Sequence, residues 1–338
     1  MSKMSIIGPR GLARLGADRP PVLIVVIDTE EEFDWNKPFS RDSTGVDSIQ
    51  YQPLAHEIFD KYGIRPTYVI DYPVAATESS VAVLKPLADQ GLCDIGTHLH
   101  PWVTPPHEEQ VNQVNSYPGN LPAELERRKL ETMTETIAAN FGRRPVMYKA
   151  GRYGVGPMTA KLLEDLGYEI DLSVVPHTTF GGDGGPDFRD LPSEPFWFGA
   201  DRQMLEIPLS RGFAGLATPF GPQFWTILDS PFGRKLHLAG IAARLRLLER
   251  ITLTPEGVDH AAHRRLVRSL MAQGHRVYSF TYHSSSLGIA NTPYVRSVEQ
   301  RREFLRRMDQ FFRLFTSELG GIFSTPLDLK EQLLSVRV

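Results

Sequence analysis

Two short segments hold the side chains best suited to chemistry, IDTEEEFDW at 27–35 and GTHLHPW at 96–102. His98 and His100 are two apart. On a helix such a pair would point nearly opposite ways. On an extended chain it lies on one face. Asp28, Glu30, Glu32 and Asp34 follow the same period of two, with Glu31 on the other face. Acids this dense repel one another in a dry pocket unless a cation or water compensates, and a solvated acidic loop is the plain alternative. Two imidazoles with a carboxylate and an open position suit a divalent ion that acidifies water at neutral pH. Glu30, His98 and His100 are the candidate ligands. His107, in TPPHEE, is a rival ligand and reads as part of a surface loop.

Two further segments add protons and positive charge. TYHSSSL places His283 at the end of a strand whose same face carries Val277, Ser279 and Thr281. A histidine there can protonate a leaving group. It can equally be a barrel-end imidazole bonded to a neighbouring hydroxyl. YKAGRYGVG, 148–156, sets Lys149 and Arg152 among glycines, a loop able to offer a cation and backbone N–H groups to a developing oxyanion. The glycine spacing fits no dinucleotide or Walker motif, and GGDGGP reads as turns.

The elements that must position these groups alternate. VLIVVI is a β-branched run typical of a strand buried on both faces. A helix closed by Gly63, a strand near 66–71, another helix, the strand LCDIGTH, a long helix ending at Gly142 and the strand RPVMYKA follow in turn. Next come a helix and the strand YEIDLSV. A looser region, 176–230, leads to helices near 232–250 and 257–273, the strand HRVYSFTYH, a last long helix and a short strand at IFSTP. Seven or eight strands alternating with helices predict an α/β fold, a parallel sheet closed or nearly closed into a distorted (β/α)7–8 barrel. An open doubly wound sheet is the alternative. Chemistry in such folds gathers at the C-terminal ends of strands, where Asp28, His98, His100, Lys149 and His283 all fall.

The 338 residues carry 37 Lys and Arg against 40 Asp and Glu, a balance that gives no electrostatic reason to expect DNA, RNA or a polybasic membrane contact. The single cysteine, Cys93, excludes an internal disulfide and a cysteine-based zinc cluster, and reads as a small buried thiol. The opening residues lack the apolar core of a secretory signal, and no apolar run approaches a membrane span, so a cytoplasmic location is expected. Residues 1–20 read as a loose arm, and 21–338 as one catalytic domain.

With these four segments in order, the chain resembles the polysaccharide deacetylase (NodB-homology) family, and within it the WalW-like branch. The resemblance spans about residues 20–330. It implies a distorted barrel and metal-dependent hydrolysis that removes an N-acyl group, acetyl in the first instance, from an amino sugar of a polysaccharide or its precursor. It implies a carbohydrate partner and a divalent cofactor, Zn²⁺ or alternatively Co²⁺ or Ni²⁺. The family's first motif holds two adjacent aspartates, a base and then a metal ligand. Asp28 matches the base, Thr29 stands in the second place, and Glu30 is the replacement ligand. DIGTHLHP keeps the flanks of the second motif, but its histidines are two apart where the family has four. Lys149 occupies the place nearest the third motif's arginine, with Arg152 able to supply the guanidinium. His283 matches the fifth motif. For the fourth, an aspartate that orients the base, Asp171 is the nearest candidate. Trp35, Trp102 and Tyr153 are candidate sugar-contacting rings, while Trp197 and Trp225 read as packing residues. Other metallo-amidohydrolases and phosphoesterases also use HxH, normally on the first strand. A non-catalytic sugar-binding protein on the same fold is the remaining alternative.

Overall fold

The computed structural model describes residues 11–200 and 203–336. Its strands are β1 (Gly11–Leu12), β2 (Val22–Thr29), β3 (Thr67–Ile70), β4 (Asp94–Leu99), β5 (Met147–Ala150), β6 (Ile170–Asp171), β7 (Phe196–Phe198), β8 (Met204–Glu206), β9 (Arg211–Ala214), β10 (Glu249–Thr252), β11 (Val277–His283) and β12 (Ile322–Phe323). The main sheet runs β1-β7-β8-β6-β5-β4-β3-β2-β11. From β8 through β11 all neighbours are parallel, whereas β7 and β1 are antiparallel additions. β12 pairs with the start of β2. The sheet curls into a distorted barrel, the fold class expected. Between β8 and β11 the gap is spanned by side chains and loops rather than a ladder. Ser279 N–H donates to Ser210 Oγ at 2.9 Å, and Thr281 N–H to the Leu253 carbonyl at 3.2 Å.

Alternation along the parallel strands sorts the residues. On β2, Leu23, Val25 and Ile27 face the surrounding helices, while Val22, Ile24 and Val26 enter a second, smaller core inside the barrel. Val69, Met147, Ile170, Leu205 and Val277 share that inner core. Two residues further along the same faces come Asp28 on β2, Lys149 on β5, and Ser279, Thr281 and His283 on β11. The interior thus turns from apolar to ionisable at its C-terminal mouth. The helix Gln52–Tyr62 closes at Gly63 (φ 63°) and the helix Ala123–Phe141 at Gly142 (φ 75°), as their sequences predict.

Two expectations differ from the structure. Residues 11–15 are not a loose arm: β1 pairs with β7, and Ala13 and Leu15 are buried in the inner core, where the last helix also contributes Leu329 and Leu333. Their alternating apolar spacing suits an extended plug at the barrel floor. The rest of the expected arm, residues 1–10, lies outside the described residues. Nor is 232–250 one helix. Left-handed His237 and Arg246 break it (φ 53° and 54°), and residues 249–252 leave to form β10, paired antiparallel with β9.

Candidate metal centre and acid–base site

β2 and β4 deliver the candidate ligands. Glu30 Oε2 lies 3.7 Å from His98 Nε2 and 3.5 Å from His100 Nε2. One ligand atom from each of the three residues falls within 4.8 Å of the others, and all three side chains are buried. Each imidazole is turned by its other nitrogen. His98 Nδ1 donates to the Lys149 carbonyl at 2.9 Å, and His100 Nδ1 to Glu31 Oε2 at 2.7 Å. Both Nε2 lone pairs are thereby left facing Glu30. Burial, reinforced by His98, presses the His100 pKa down to about 4, so its ring is neutral at neutral pH. Glu30 Oε1 is buried without a hydrogen-bond partner. A buried carboxylate oxygen left bare beside the Nε2 atoms of two imidazoles whose Nδ1 atoms are engaged elsewhere fits a divalent cation.

The support behind His100 is deep. Glu31 also accepts from Trp102 Nε1 at 2.7 Å, and its backbone N–H donates to Asp71 Oδ2 at 2.7 Å. Asp71 in turn caps the following helix through Val74 N–H at 2.9 Å. The Trp102 ring stacks on His100 with centroids 4.3 Å apart. Gly151 follows β5 and passes so close that a Cβ there would sit 2.4 Å from both His100 Cδ2 and the Leu99 carbonyl. Only glycine lets that loop approach the ring.

Asp28 stands beside the cluster. The Lys149 ammonium donates to its Oδ1, and to Thr281 Oγ1 at 3.4 Å. Burial alone would raise the Asp28 pKa. The Lys149 charge and hydrogen bond, with the neighbouring His98 and His283 rings, outweigh it and hold the carboxyl below its usual range. His283 pairs in register with Asp28 across β11 and β2, and its Nε2 lies 4.0 Å from Asp28 Oδ2. Its Nδ1 donates to Glu256 Oε2 at 2.8 Å. Burial would depress His283, but the charges of Glu256, Glu30 and Asp28 raise its pKa to about 10. Glu256 is held by Ser286 Oγ at 2.5 Å and the His283 backbone N–H at 3.1 Å.

Asp28, Glu30, His98, His100, Lys149 and His283 are thus brought to one place. These groups, Lys149 excepted, line a pocket of about 420 Å³, together with Trp35, Tyr153 and Arg152. Arg152 stays on its wall. Its guanidinium donates to Ser116 Oγ at 2.5 Å and lies 4.1 Å over the Tyr117 ring. Arg152 and Tyr153 both hold left-handed backbone angles (φ 53° and 59°), a strained pair that turns the loop under the pocket. Trp35 is 38% exposed and meets His283 edge-on at 5.2 Å. Trp102 is only 1% exposed and braces His100, so most of its surface is taken by protein. His107 is exposed, as its loop position predicts. Glu32 and Asp34 fall away from the centre: Glu32 accepts from Ser48 N–H, and Asp34 pairs with Lys37 at the surface.

Asp171 does not serve the place suggested for it. It accepts from Ser173 Oγ at 2.5 Å and sits opposite Glu206 on β8. The base candidate Asp28 is held instead by Lys149, and the acid candidate His283 by Glu256, in the loop after β10. No motif marks it, because its partner lies 27 residues further on and only the fold joins them. Glu31 was legible as an acid but assigned to the far face. The strand ends at Thr29, and the turn that follows brings its side chain back under His100.

The sequence matches no family model and no curated protein. Among solved structures the chain is similar to a Mycobacterium smegmatis protein provisionally described as a polysaccharide deacetylase, with 15% identity, a TM-score of 0.55, and coverage of 97% of this chain and 95% of that one. It is similar to Puue allantoinase to nearly the same degree, with 14% identity, a TM-score of 0.54, and coverage of 97% and 98%. The shared fold runs the full length of both.

Proposed function

We propose that this protein is a metal-dependent hydrolase that removes an N-acyl group, acetyl being the simplest, from an amino sugar of a polysaccharide or its precursor. The observation that carries the reading is the convergence of Glu30 Oε2 on two Nε2 atoms, at 3.5 and 3.7 Å, with both Nδ1 atoms committed elsewhere. Glu30, His98 and His100 would hold the ion. Zn²⁺ is the first expectation, with Co²⁺ or Ni²⁺ as alternatives, and when bound it supplies Lewis acidity at the acyl oxygen and the attacking water.

The chain's own groups then divide the proton work. Asp28 takes a proton from the water whose oxygen adds to the acyl carbon, and Lys149 keeps Asp28 ionised for that step. His283, protonated through neutral pH, gives its proton to the sugar nitrogen as the C–N bond breaks. The products are a carboxylate and an amine. Glu256 holds the His283 ring and its charge. Arg152 and the Trp35 and Tyr153 rings would contact the sugar from the pocket wall. A phosphate ester is the poorer fit, because Asp28 and Glu30 already crowd the pocket with negative charge.

A second reading, an amidohydrolase acting on a small non-sugar amide, draws on the near-equal likeness to an allantoinase and on the modest pocket. The test is product release from N-acetylated oligosaccharides and from small amides, by the full chain with added Zn²⁺, Co²⁺ or Ni²⁺. Acetate release from the sugars, abolished by chelation and by His98→Ala, is expected. Turnover of small amides alone would transfer the assignment to the second reading. Sugar binding without turnover under any metal would leave a non-catalytic carbohydrate-binding protein.

A further inference from the structure

Between β9 and β10 the chain inserts three short helices, Gly221–Leu228, Pro231–Lys235 and Leu238–Arg244, which pack on one another. Their surface is unlike the rest of the protein. Among the described residues, every large apolar side chain more than half exposed lies in this insertion: Leu216 (83%), Phe232 (66%), Leu245 (62%), Phe220 (60%) and Ile227 (59%). Folded proteins rarely leave large apolar groups clustered in water unless something covers them. The charge here is also one-sided. Residues 215–248 contain four basic side chains, Arg234, Lys235, Arg244 and Arg246, and a single acid, Asp229, in a chain whose net charge is −3. Asp229 faces Arg234 at 3.8 Å. Lys235, Arg244 and Arg246 are exposed and make no salt bridge among the described residues.

We propose that the 216–247 insertion is an interfacial docking surface for an anionic lipid bilayer. Exposed Phe, Leu and Ile interleaved with Lys and Arg on short helices match the two attractions that hold a protein on such a surface, apolar burial at the acyl boundary and attraction to acidic headgroups. A second copy of the chain fits less well. A two-fold interface would lay Lys235, Arg244 and Arg246 near their own equivalents with almost no acid between them. The position gives the docking a consequence. Trp225, Pro231 and Arg234 of the insertion wall a cleft of about 890 Å³ that shares Phe180 with the pocket holding Asp28 and His283. Docking would hold that cleft beside the bilayer, whatever reaction the pocket performs.

The test is sedimentation of the full chain with vesicles of phosphatidylcholine alone, and of phosphatidylcholine with about one-third phosphatidylglycerol, at low and high salt. Binding to the anionic vesicles only, weakened by salt, is expected. Each basic side chain near such a surface contributes about fivefold in partitioning, so K235Q/R244Q/R246Q should lower it roughly 100-fold. L216S/F232S should abolish it, while both variants keep the wild-type circular dichroism and melting temperature. No binding to anionic vesicles at low salt would overturn the proposal, as would equal binding to neutral ones. A stable dimer in solution that L216S/F232S dissolves would assign the surface to a second copy instead.

Discussion

Removing the charge of Glu256 while keeping its shape should move the alkaline limit of activity and little else. His283 Nδ1 lies 2.8 Å from Glu256 Oε2, and the Glu256, Glu30 and Asp28 charges together carry its pKa from 6.5 to about 10 against burial. A raised pKa keeps the ring protonated, and able to donate, up to that value. The proton is lost as pH rises through it. An opposite charge within hydrogen-bond reach accounts for roughly 1–3 pKa units. Glu256→Gln should therefore bring His283 down to roughly 7–9. At pH 6.5 the ring remains mostly protonated and kcat/KM should change little. At pH 9, a pKa near 8 leaves roughly one ring in ten protonated, so kcat/KM should fall about tenfold relative to wild type. The assay is the pH profile of acetate release with saturating metal. It is paired with an NMR titration of the His283 ring in metal-free protein, where the same downward shift should appear. An alkaline limb at the same pH in both proteins would refute the reasoning, as would a loss equal at every pH. Either result would make Glu256 a structural partner only.

Three further outcomes follow from the same geometry. Asp28→Asn should lower turnover by about 10²–10⁴-fold, the usual contribution of a general base, with metal binding retained in a calorimetric titration. Glu31→Gln leaves His100 its stacking on Trp102 but removes the carboxylate at Nδ1, and should weaken metal affinity by about 10–100-fold in the same titration. Gly151→Ala forces a Cβ to 2.4 Å from His100 Cδ2 and the Leu99 carbonyl, both buried, and should cost about 1–3 kcal/mol in urea unfolding and disturb metal binding with it.

The convergence of Glu30, His98 and His100 could be read from the sequence because a strand's period is simple. Residues two apart share a face, so HxH and DxE each predict a common direction, and the barrel topology sends both to one mouth. The inner face of β11, from Val277 through Thr281 to His283, followed from the same rule. The rule fails where the strand stops. Glu31 lies two residues past Thr29, where the strand ends, and its reach back to His100 depends on Asp71 from the end of β3. Glu256 and Ser286 meet His283 through a loop that no periodicity constrains. The β9–β10 ribbon was hidden for a different reason. LRLLERITLT is apolar and basic enough to continue a helix, and the break at Arg246 is a backbone event in a residue type that seldom adopts positive φ. The Ala13 and Leu15 plug is hidden because three apolar residues, Leu12, Ala13 and Leu15, carry no pattern strong enough to set against a glycine- and proline-rich context.

The central claim is that Glu30, His98 and His100 hold one divalent ion. It is tested most directly by titrating Zn²⁺ into metal-free protein, and into H98A and H100A, with X-ray absorption on the zinc-loaded wild type. One ion per chain, two imidazole nitrogens and carboxylate oxygen around the zinc, and loss of the tight site in both variants are predicted. Wild-type zinc affinity in H98A and H100A would contradict it, as would a zinc environment without imidazole.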